Sequence, residues 1–368
     1  MPLQARQQLL IELETALECP VLAFVTGDRP ALATQIAAEQ LVYFPRHLES
    51  LGKHTKLGLL LHTRGGETHA AWPIISFIRE FCDELLVLVP FSAHSAGTLM
   101  ALGANQIYMT RFATLSPIDP TVANPFNPQD PAAPQNRIPI AVEDVMAFFE
   151  LSKRQGAGEV EHLAAAFDRL AEAVHPLALG NVQRSIDQIR QLAEKMIRLH
   201  SPDKPEEDVE ELVRQLTTAL YSHFHLISRR EAREIGLPVG DPSEDVERLL
   251  LAYYEQLKQD LKLLEKFDPN AILRAAAPAG PPPAAPPTPQ PPQPGTTLPT
   301  PTPQPGVQPV SVVLERAYLE TKTTADAYIT RGTITMQPPQ APPGMPVPAG
   351  LPLMPTLEVT SEEWERVQ

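Results

Sequence analysis

Four short, almost unbroken aliphatic runs punctuate the first third of the chain: Pro20-Val21-Leu22-Ala23-Phe24-Val25, Leu57-Gly58-Leu59-Leu60-Leu61-His62, Leu85-Leu86-Val87-Leu88-Val89 and Gln106-Ile107-Tyr108-Met109. A run that is apolar at nearly every position, rather than at alternate ones, predicts a strand covered on both faces. Between these runs the apolar positions fall at helical spacing. Helices are predicted over 3–17, 34–52 and 67–82, the last with its first turn limited by Pro73. A small-residue helix is predicted over Ser95–Ala104. Strands alternating with helices at this pitch predict an α/β fold with a mostly parallel sheet and right-handed connections. In such sheets the functional residues sit on loops leaving the C-terminal ends of the strands.

After Pro120 comes a loop-like insert, TVANPFNPQDPAAPQNRIP, and then a helical insert with helices expected at about 141–154, 158–173, 179–199 and 205–220. YSHFHLISRREAREIGLPVG reads as a short strand and a turn of helix, and 243–267 as a last helix. Beyond residue 270 the composition changes. Of the 42 prolines, 14 fall in 281–310, and 275–314 contains no charged residue. Residues 271–310 therefore read as a polyproline II linker. SVVLERAYLETKTTADAYITRGTITM offers a helix and a strand, but 311–368 is expected to be a mostly disordered tail, ending in the acidic SEEWERVQ. The folded domain is thus expected to be 1–270, long enough to bury a large core.

The net charge of −14 disfavours nucleic acid and anionic membrane as partners. Cys19 and Cys82 each adjoin an apolar run and read as buried thiols. No paired Cys/His spacing supports a disulfide framework or a metal site. No dinucleotide fingerprint or Schiff-base lysine motif is present either, so no cofactor is expected. MPLQARQQLLIELETALECP lacks a signal-peptide h-region. Leu85–Met109 carries no Asp, Glu, Lys or Arg, but Pro90, Ser92, His94, Ser95 and Gly97 interrupt it, so no transmembrane segment is read there. The expected compartment is cytoplasmic, with membrane association only through a partner.

Chemistry concentrates at the ends of two predicted strands. In VPFSAHSAGTLMALGA a buried strand enters a turn whose last polar residue is Ser95, and Ala96-Gly97 then open an apolar helix. This projects a hydroxyl from the start of a helix, with the N–H of Ala96 beside the oxygen of any carbonyl that Ser95 attacks. Taken alone, Ser95 reads more readily as an ordinary helix N-cap. The second strand ends in His62-Thr63-Arg64-Gly65-Gly66-Glu67. A double glycine there turns backbone N–H groups outward with no side chain in the way, and acyl transfer needs two such donors for its oxyanion. Strand, Gly-Gly, helix, strand, serine turn and helix in that order are more specific than either half.

HTRGGETHAAW, VPFSAHSAGTLMALGANQIYM and ATLSPIDP together resemble the ClpP-class proteases, in particular their SppA-like relatives called serine dehydrogenase proteinases; the resemblance covers about residues 15–240. It implies a ClpP/crotonase-like spiral of ββα units, a homo-oligomer, and hydrolysis of a peptide or protein substrate. It also implies Ser95 as nucleophile and the N–H groups of Gly66 and Ala96, within the Gly65-Gly66 turn and the serine turn, as the oxyanion hole. Where ClpP carries its histidine, this chain has Ile118-Asp119-Pro120. Where ClpP carries its aspartate, it has Ser222-His223-Phe224-His225. Acid and base stand exchanged, and the triad order the resemblance implies is Ser95, Asp119, His223. A serine needs an imidazole and an orienting carboxylate, whatever their order along the chain.

Alternative bases are His225, on the same side of a strand as His223; His175, in a His-Pro-Leu segment; and Lys153, which would need burial to lower its pKa but lies in the polar stretch SKRQG. His62, His69 and His94 lie near the expected site. Asp119 equally suits a turn before proline, and His223 a structural role. Two competing functions use the same fold: a crotonase-like acyl-CoA enzyme, and a catalytically idle scaffold presenting its Pro-rich tail to a partner.

Overall fold

Val21–Thr26 (β1) is buried at all six positions, and the apolar parts of His54–His62 (β2) and Cys82–Val89 (β3) are buried likewise. This is the burial expected of strands sandwiched between helical layers. The computed structural model describes residues 2–118, 121–122, 124–131, 133–155, 160–219, 225–276, 308–338 and 353–367. The remaining elements of the first half are helices α1 (Pro2–Leu17), α2 (Phe44–Leu51), α3 (Thr68–Arg79) and α4 (Ala96–Leu102), with strands β4 (Ser92–Ala93), β5 (Gln106–Met109) and β6 (Thr114–Leu115). Residues 121–141 hold four short strands, β7 (Thr121–Val122), β8 (Gln129–Asp130), β9 (Ala133–Arg137) and β10 (Ile140–Ala141). The helical insert follows as α5 (Val142–Gln155), α6 (Val160–Ala173), α7 (Pro176–Arg198) and α8 (Glu206–Arg214), closed by a π-helical turn over Gln215–Ala219. Then come β11 (Ile227–Ser228), α9 (Arg229–Ile235), β12 (Val239–Gly240), α10 (Glu244–Asp260), α11 (Pro269–Ala276), β13 (Val310–Glu320), β14 (Ala325–Gln337) and β15 (Met354–Val367).

The chain divides into two compact units. The larger comprises Met1–Lys266, Glu315–Tyr328 and Trp364–Gln368. In it β12, β5, β3, β2 and β1 are joined in that order by parallel ladders, and residues 317–320 of β13 pair antiparallel with β1. Leu22, Phe24, Leu59, Leu61 and Val87 share one buried cluster with Ile74, Ile75 and Ile78 of α3, Leu99 and Met100 of α4, and Ile189, Ala193 and Met196 of α7. Each fully buried aliphatic side chain of this kind contributes about 1.5–3 kcal/mol. A second, three-stranded sheet has the order β11-β6-β4, with β4 entering the turn at Ser95. The smaller unit comprises Phe267–Leu314 and Ile329–Glu363; within it the Thr330 hydroxyl donates to Glu362 at 2.9 Å. Among the described residues no helix is long and apolar enough to cross a membrane.

Two expectations are corrected. Residues 34–52 do not form one helix. The backbone of Ile36 pairs instead with Gly66, a 3-10 turn spans Ala38–Tyr43, and Pro45 opens a separate helix, α2. The tail beyond 310 is not mostly disordered: 310–320, 325–337 and 354–367 are strands, and residues 315–328 group with the larger unit. The physical reason is a buried ion cluster. Arg6, 1% exposed, donates to Glu320 of β13 at 3.0 and 3.1 Å and is also paired with Asp260 of α10. Most of the polyproline linker, 277–307, lies outside the described residues.

The far end of α4 is held by His200, whose Nε2–H donates to the carbonyl of Leu102 at 3.1 Å while Nδ1 accepts from Ser201 at 2.9 Å. Burial, with the charge of Arg79 next, pushes this imidazole down to about 4. Unfolding returns it to about 6.5, so the unfolded chain takes up a proton first as pH falls. Stability from this group is therefore complete above about pH 6.5 and declines towards pH 4. In thermal melts at low salt, His200→Gln is expected to flatten the midpoint's dependence over that window. A slope identical to wild type would contradict the assignment.

Candidate active site

At the end of β2 the chain turns through Thr63-Arg64-Gly65-Gly66, with positive φ at both glycines, 101° and 148°. Space as well as conformation demands glycine. A Cβ on Gly65 would stand 2.8 Å from the Cβ of Ser95, and one on Gly66 would stand 2.2 Å from the carbonyl oxygen of Ile36. The turn is braced by Ile36, whose N–H donates to Gly65 O at 2.8 Å and whose carbonyl accepts from Glu67 at 2.9 Å.

Ser95 caps α4 with φ 50° and ψ −113°, a region that a residue with a Cβ rarely occupies. Such a conformation costs on the order of 1–3 kcal/mol and persists only where its surroundings over-determine it. They do so here. The Ser95 N–H donates to Ser116 Oγ at 2.8 Å, its carbonyl accepts from Leu99 at 3.0 Å, and Gly97 N–H donates to His94 O at 2.8 Å. Ser116 is fixed in turn, its N–H donating to Thr98 Oγ1 at 3.1 Å while that hydroxyl donates to Ala93 O at 2.8 Å. Ser95 thus sits where β4 gives way to α4, and it keeps 8% of its surface.

The same bonds sort the backbone N–H groups around Ser95. The N–H of Ser95 is taken by Ser116, and that of Gly65 donates to Thr63 Oγ1 at 2.9 Å. Gly65 therefore serves as the turn and as the surface against Ser95, with its own N–H engaged by Thr63. Ala96 is the first residue of α4, where a helix leaves its N–H groups without an intrahelical partner. Sequence reasoning gave Ser116 and Thr63 no role. Both lay inside quoted motifs, but nothing in spacing separates a serine or threonine that positions a turn from one that merely occupies it.

The nearby histidines are engaged locally. His62 Nδ1 lies 3.2 Å from Ser92 Oγ, His94 Nε2 lies 2.9 Å from Thr114 Oγ1, and His69, 61% exposed, faces Glu67 at 3.3 Å. Burial would raise the Asp28 carboxyl, but His62 and Arg64 opposite it hold it at about 2. Of these two, Arg64 makes the hydrogen bond, at 2.8 Å, while His62 Nε2 stands 3.9 Å away. Among the candidate bases, Lys153 is 51% exposed and paired with Glu150 at 2.7 Å. His175 caps α7, accepting from Leu177 N–H at 3.2 Å, and stacks on Phe126. His225 is bonded to Glu231 at 2.6 Å. Asp119 and His223 lie outside the described residues. The chain flanking them is described: Ile118 N–H donates to Leu216 O at 2.8 Å, and β11 pairs with β6, which pairs with β4.

Residues 37–138 match the model of the ClpP-like SDH-type serine proteinases. Gly65, Gly66, Ser95, Ala96 and Asp119 fall inside the stretch matched to this proteinase family, whereas Lys153, His175, His223 and His225 fall beyond it. Two uncharacterized proteins of Methanocaldococcus jannaschii are similar. One is 28% identical over 216 residues, covering 58% of this chain and 64% of the relative. The other is 25% identical over 184 residues, covering 50% of this chain and 52% of the relative. The match thus spans between about half and two thirds of these relatives' own length. Among solved structures, a serine-to-alanine mutant of the 1510-N membrane-bound stomatin-specific protease aligns at TM-score 0.35 and 14% identity, over 66% of this chain and 86% of that one.

Proposed function

We propose that this chain is a serine peptidase that cleaves peptide bonds through an acyl-enzyme on Ser95, with His223 as general base and Asp119 orienting it. Ser95 Oγ attacks the carbonyl carbon while the imidazole takes its proton. The oxyanion accepts hydrogen bonds from the N–H groups of Gly66 and Ala96. Collapse expels the amine, which carries away that proton, and a water activated by the same imidazole hydrolyses the ester. In this reading the frame is the ClpP-type spiral of ββα units.

The observation that carries the proposal is Ser95 itself, a non-glycine residue held at φ 50° with Gly65 against its Cβ. Strain of this kind concentrates at active sites. The base assignment is supported by the flanking chain, since Ile118, next to Asp119, is bonded to Leu216, and β11 joins the sheet that carries β4. Lys153 is half exposed and ion-paired, the opposite of the desolvated setting that a lysine base requires. One observation favours a second base: His225 is an imidazole bonded to a carboxylate, Glu231.

Labelling by a fluorophosphonate decides between them. In the proposed scheme His223→Ala slows labelling by about two to four orders of magnitude, while His225→Ala and Lys153→Ala label like wild type. Loss in His225→Ala with retention in His223→Ala would transfer the role to the His225–Glu231 pair. Absence of labelling in folded wild type would favour the idle scaffold.

A further inference from the structure

We propose that Thr63 is a positioning residue of this site, setting the oxyanion turn against the nucleophile turn through its hydroxyl. The proposal rests on the peptidase reading above. Thr63 is fully buried and engaged at every group. Its N–H donates to Ser92 O at 2.9 Å and its carbonyl accepts from His94 N–H at 3.1 Å, so it joins the strand end before the glycines to the strand end before Ser95. Its Oγ1 accepts from Gly65 N–H at 2.9 Å and lies 2.6 Å from Thr26 Oγ1, also fully buried. Its methyl occupies the space beside Gly97, where a Cβ would come within 2.5 Å of Thr63 Cγ2.

One side chain therefore meets three things at once. It fixes the 64–65 peptide through the Gly65 N–H, next to the peptide that carries the Gly66 N–H, a proposed oxyanion donor. It abuts Gly97, which follows the other donor, Ala96. It is anchored from behind by Thr26 at the end of β1. Release of the 64–65 peptide would let the turn re-aim the next one and carry the Gly66 N–H away from the oxyanion, and a 1 Å misplacement of a catalytic group can cost about a hundredfold in rate. Valine matches threonine in shape but cannot accept the Gly65 N–H. Serine keeps the acceptor and gives up only the methyl.

The test is fluorophosphonate inactivation of the full chain, separated into the maximal inactivation rate and the half-saturating probe concentration, for wild type, Thr63→Val, Thr63→Ser and Thr26→Val. Amide hydrogen exchange of the 63–67 segment and thermal midpoints are measured in parallel. Thr63→Val is expected to lower the maximal rate by about two orders of magnitude, with half-saturation unchanged and faster exchange at Gly65. Thr63→Ser is expected within a few-fold of wild type. Thr26→Val, which removes the rear anchor but leaves the Thr63–Gly65 bond, should fall between them even if Thr63→Val fails to fold. A labelled wild type with Thr63→Val at the wild-type rate, or with serine no better than valine, would overturn this proposal alone. A folded wild type that never labels would overturn it together with the peptidase reading.

Discussion

Replacing Ser95 with alanine is expected to abolish fluorophosphonate labelling and to lower peptide hydrolysis by at least about three orders of magnitude, because the remaining oxyanion donors and binding groups supply only a residual acceleration. The informative comparison is with Ser95→Gly. Both variants lack the nucleophile, but only glycine occupies φ 50°, ψ −113° at no steric cost. Relief of about 1–3 kcal/mol of strain outweighs the roughly 0.5–1 kcal/mol of added unfolded-state entropy that glycine brings. Ser95→Gly should therefore be more stable than Ser95→Ala by about 1 kcal/mol, a gain of about 2–4 °C in midpoint. Calorimetry of the two proteins checks this. Equal midpoints would mean that the backbone at residue 95 is unstrained, removing the observation on which the functional reading stands. Activity surviving in either variant would place the nucleophile elsewhere.

Glu320→Ala is expected to destabilise the protein by about 3–5 kcal/mol, the effect of leaving a buried charge without its partner. Arg6 gives Glu320 three of its donor contacts, the Tyr253 hydroxyl donates to the same carboxylate at 2.5 Å, and the guanidinium lies 3.8 Å from the centre of the Tyr318 ring. Burial would lower the guanidinium's affinity for its proton, and Glu320 together with Tyr318 and Tyr253 more than restores it. Burial and the neighbouring Glu320 both drive the Tyr253 hydroxyl upward, so it stays a neutral donor. Removing the carboxylate leaves Arg6 with Asp260 alone. Adding Arg6→Met and Asp260→Leu to Glu320→Ala, so that no charge of the cluster is left alone, should recover a large part of the loss, since a buried ion cluster replaced by apolar groups is often close to neutral. Urea unfolding of both variants beside wild type measures this. A Glu320→Ala protein within about 1 kcal/mol of wild type would mean that β13 is not integral to the fold.

How much of this was legible beforehand can be judged residue by residue. The runs at 21–25, 57–62, 85–89 and 106–109 all became strands of the central sheet, because a continuous aliphatic run between helical segments has few other ways to be buried. Gly65-Gly66 and Ser95 fell at strand ends, as the βαβ rhythm requires, and their motif pointed to the proteinase family whose model residues 37–138 match. Residues 34–52 misled because their apolar spacing suits a helix, yet Ile36 is drawn into a backbone pairing with Gly66, thirty residues away. A local pattern cannot register a competitor that distant.

The amino-acid sequence by itself determined the alternation of elements, the two glycines and the serine. Each is a local matter: burial period, backbone permissiveness, and one hydroxyl at the mouth of a helix. The tertiary structure alone decided which N–H groups are already committed, since Gly65 is spent on Thr63 and Ser95 on Ser116. It alone decided that β13 completes the sheet beside β1, because the charge requiring it sits on Arg6, 314 residues from Glu320. Hydrogen bonds and buried charges are settled between groups, and neither partner's position in the chain names the other.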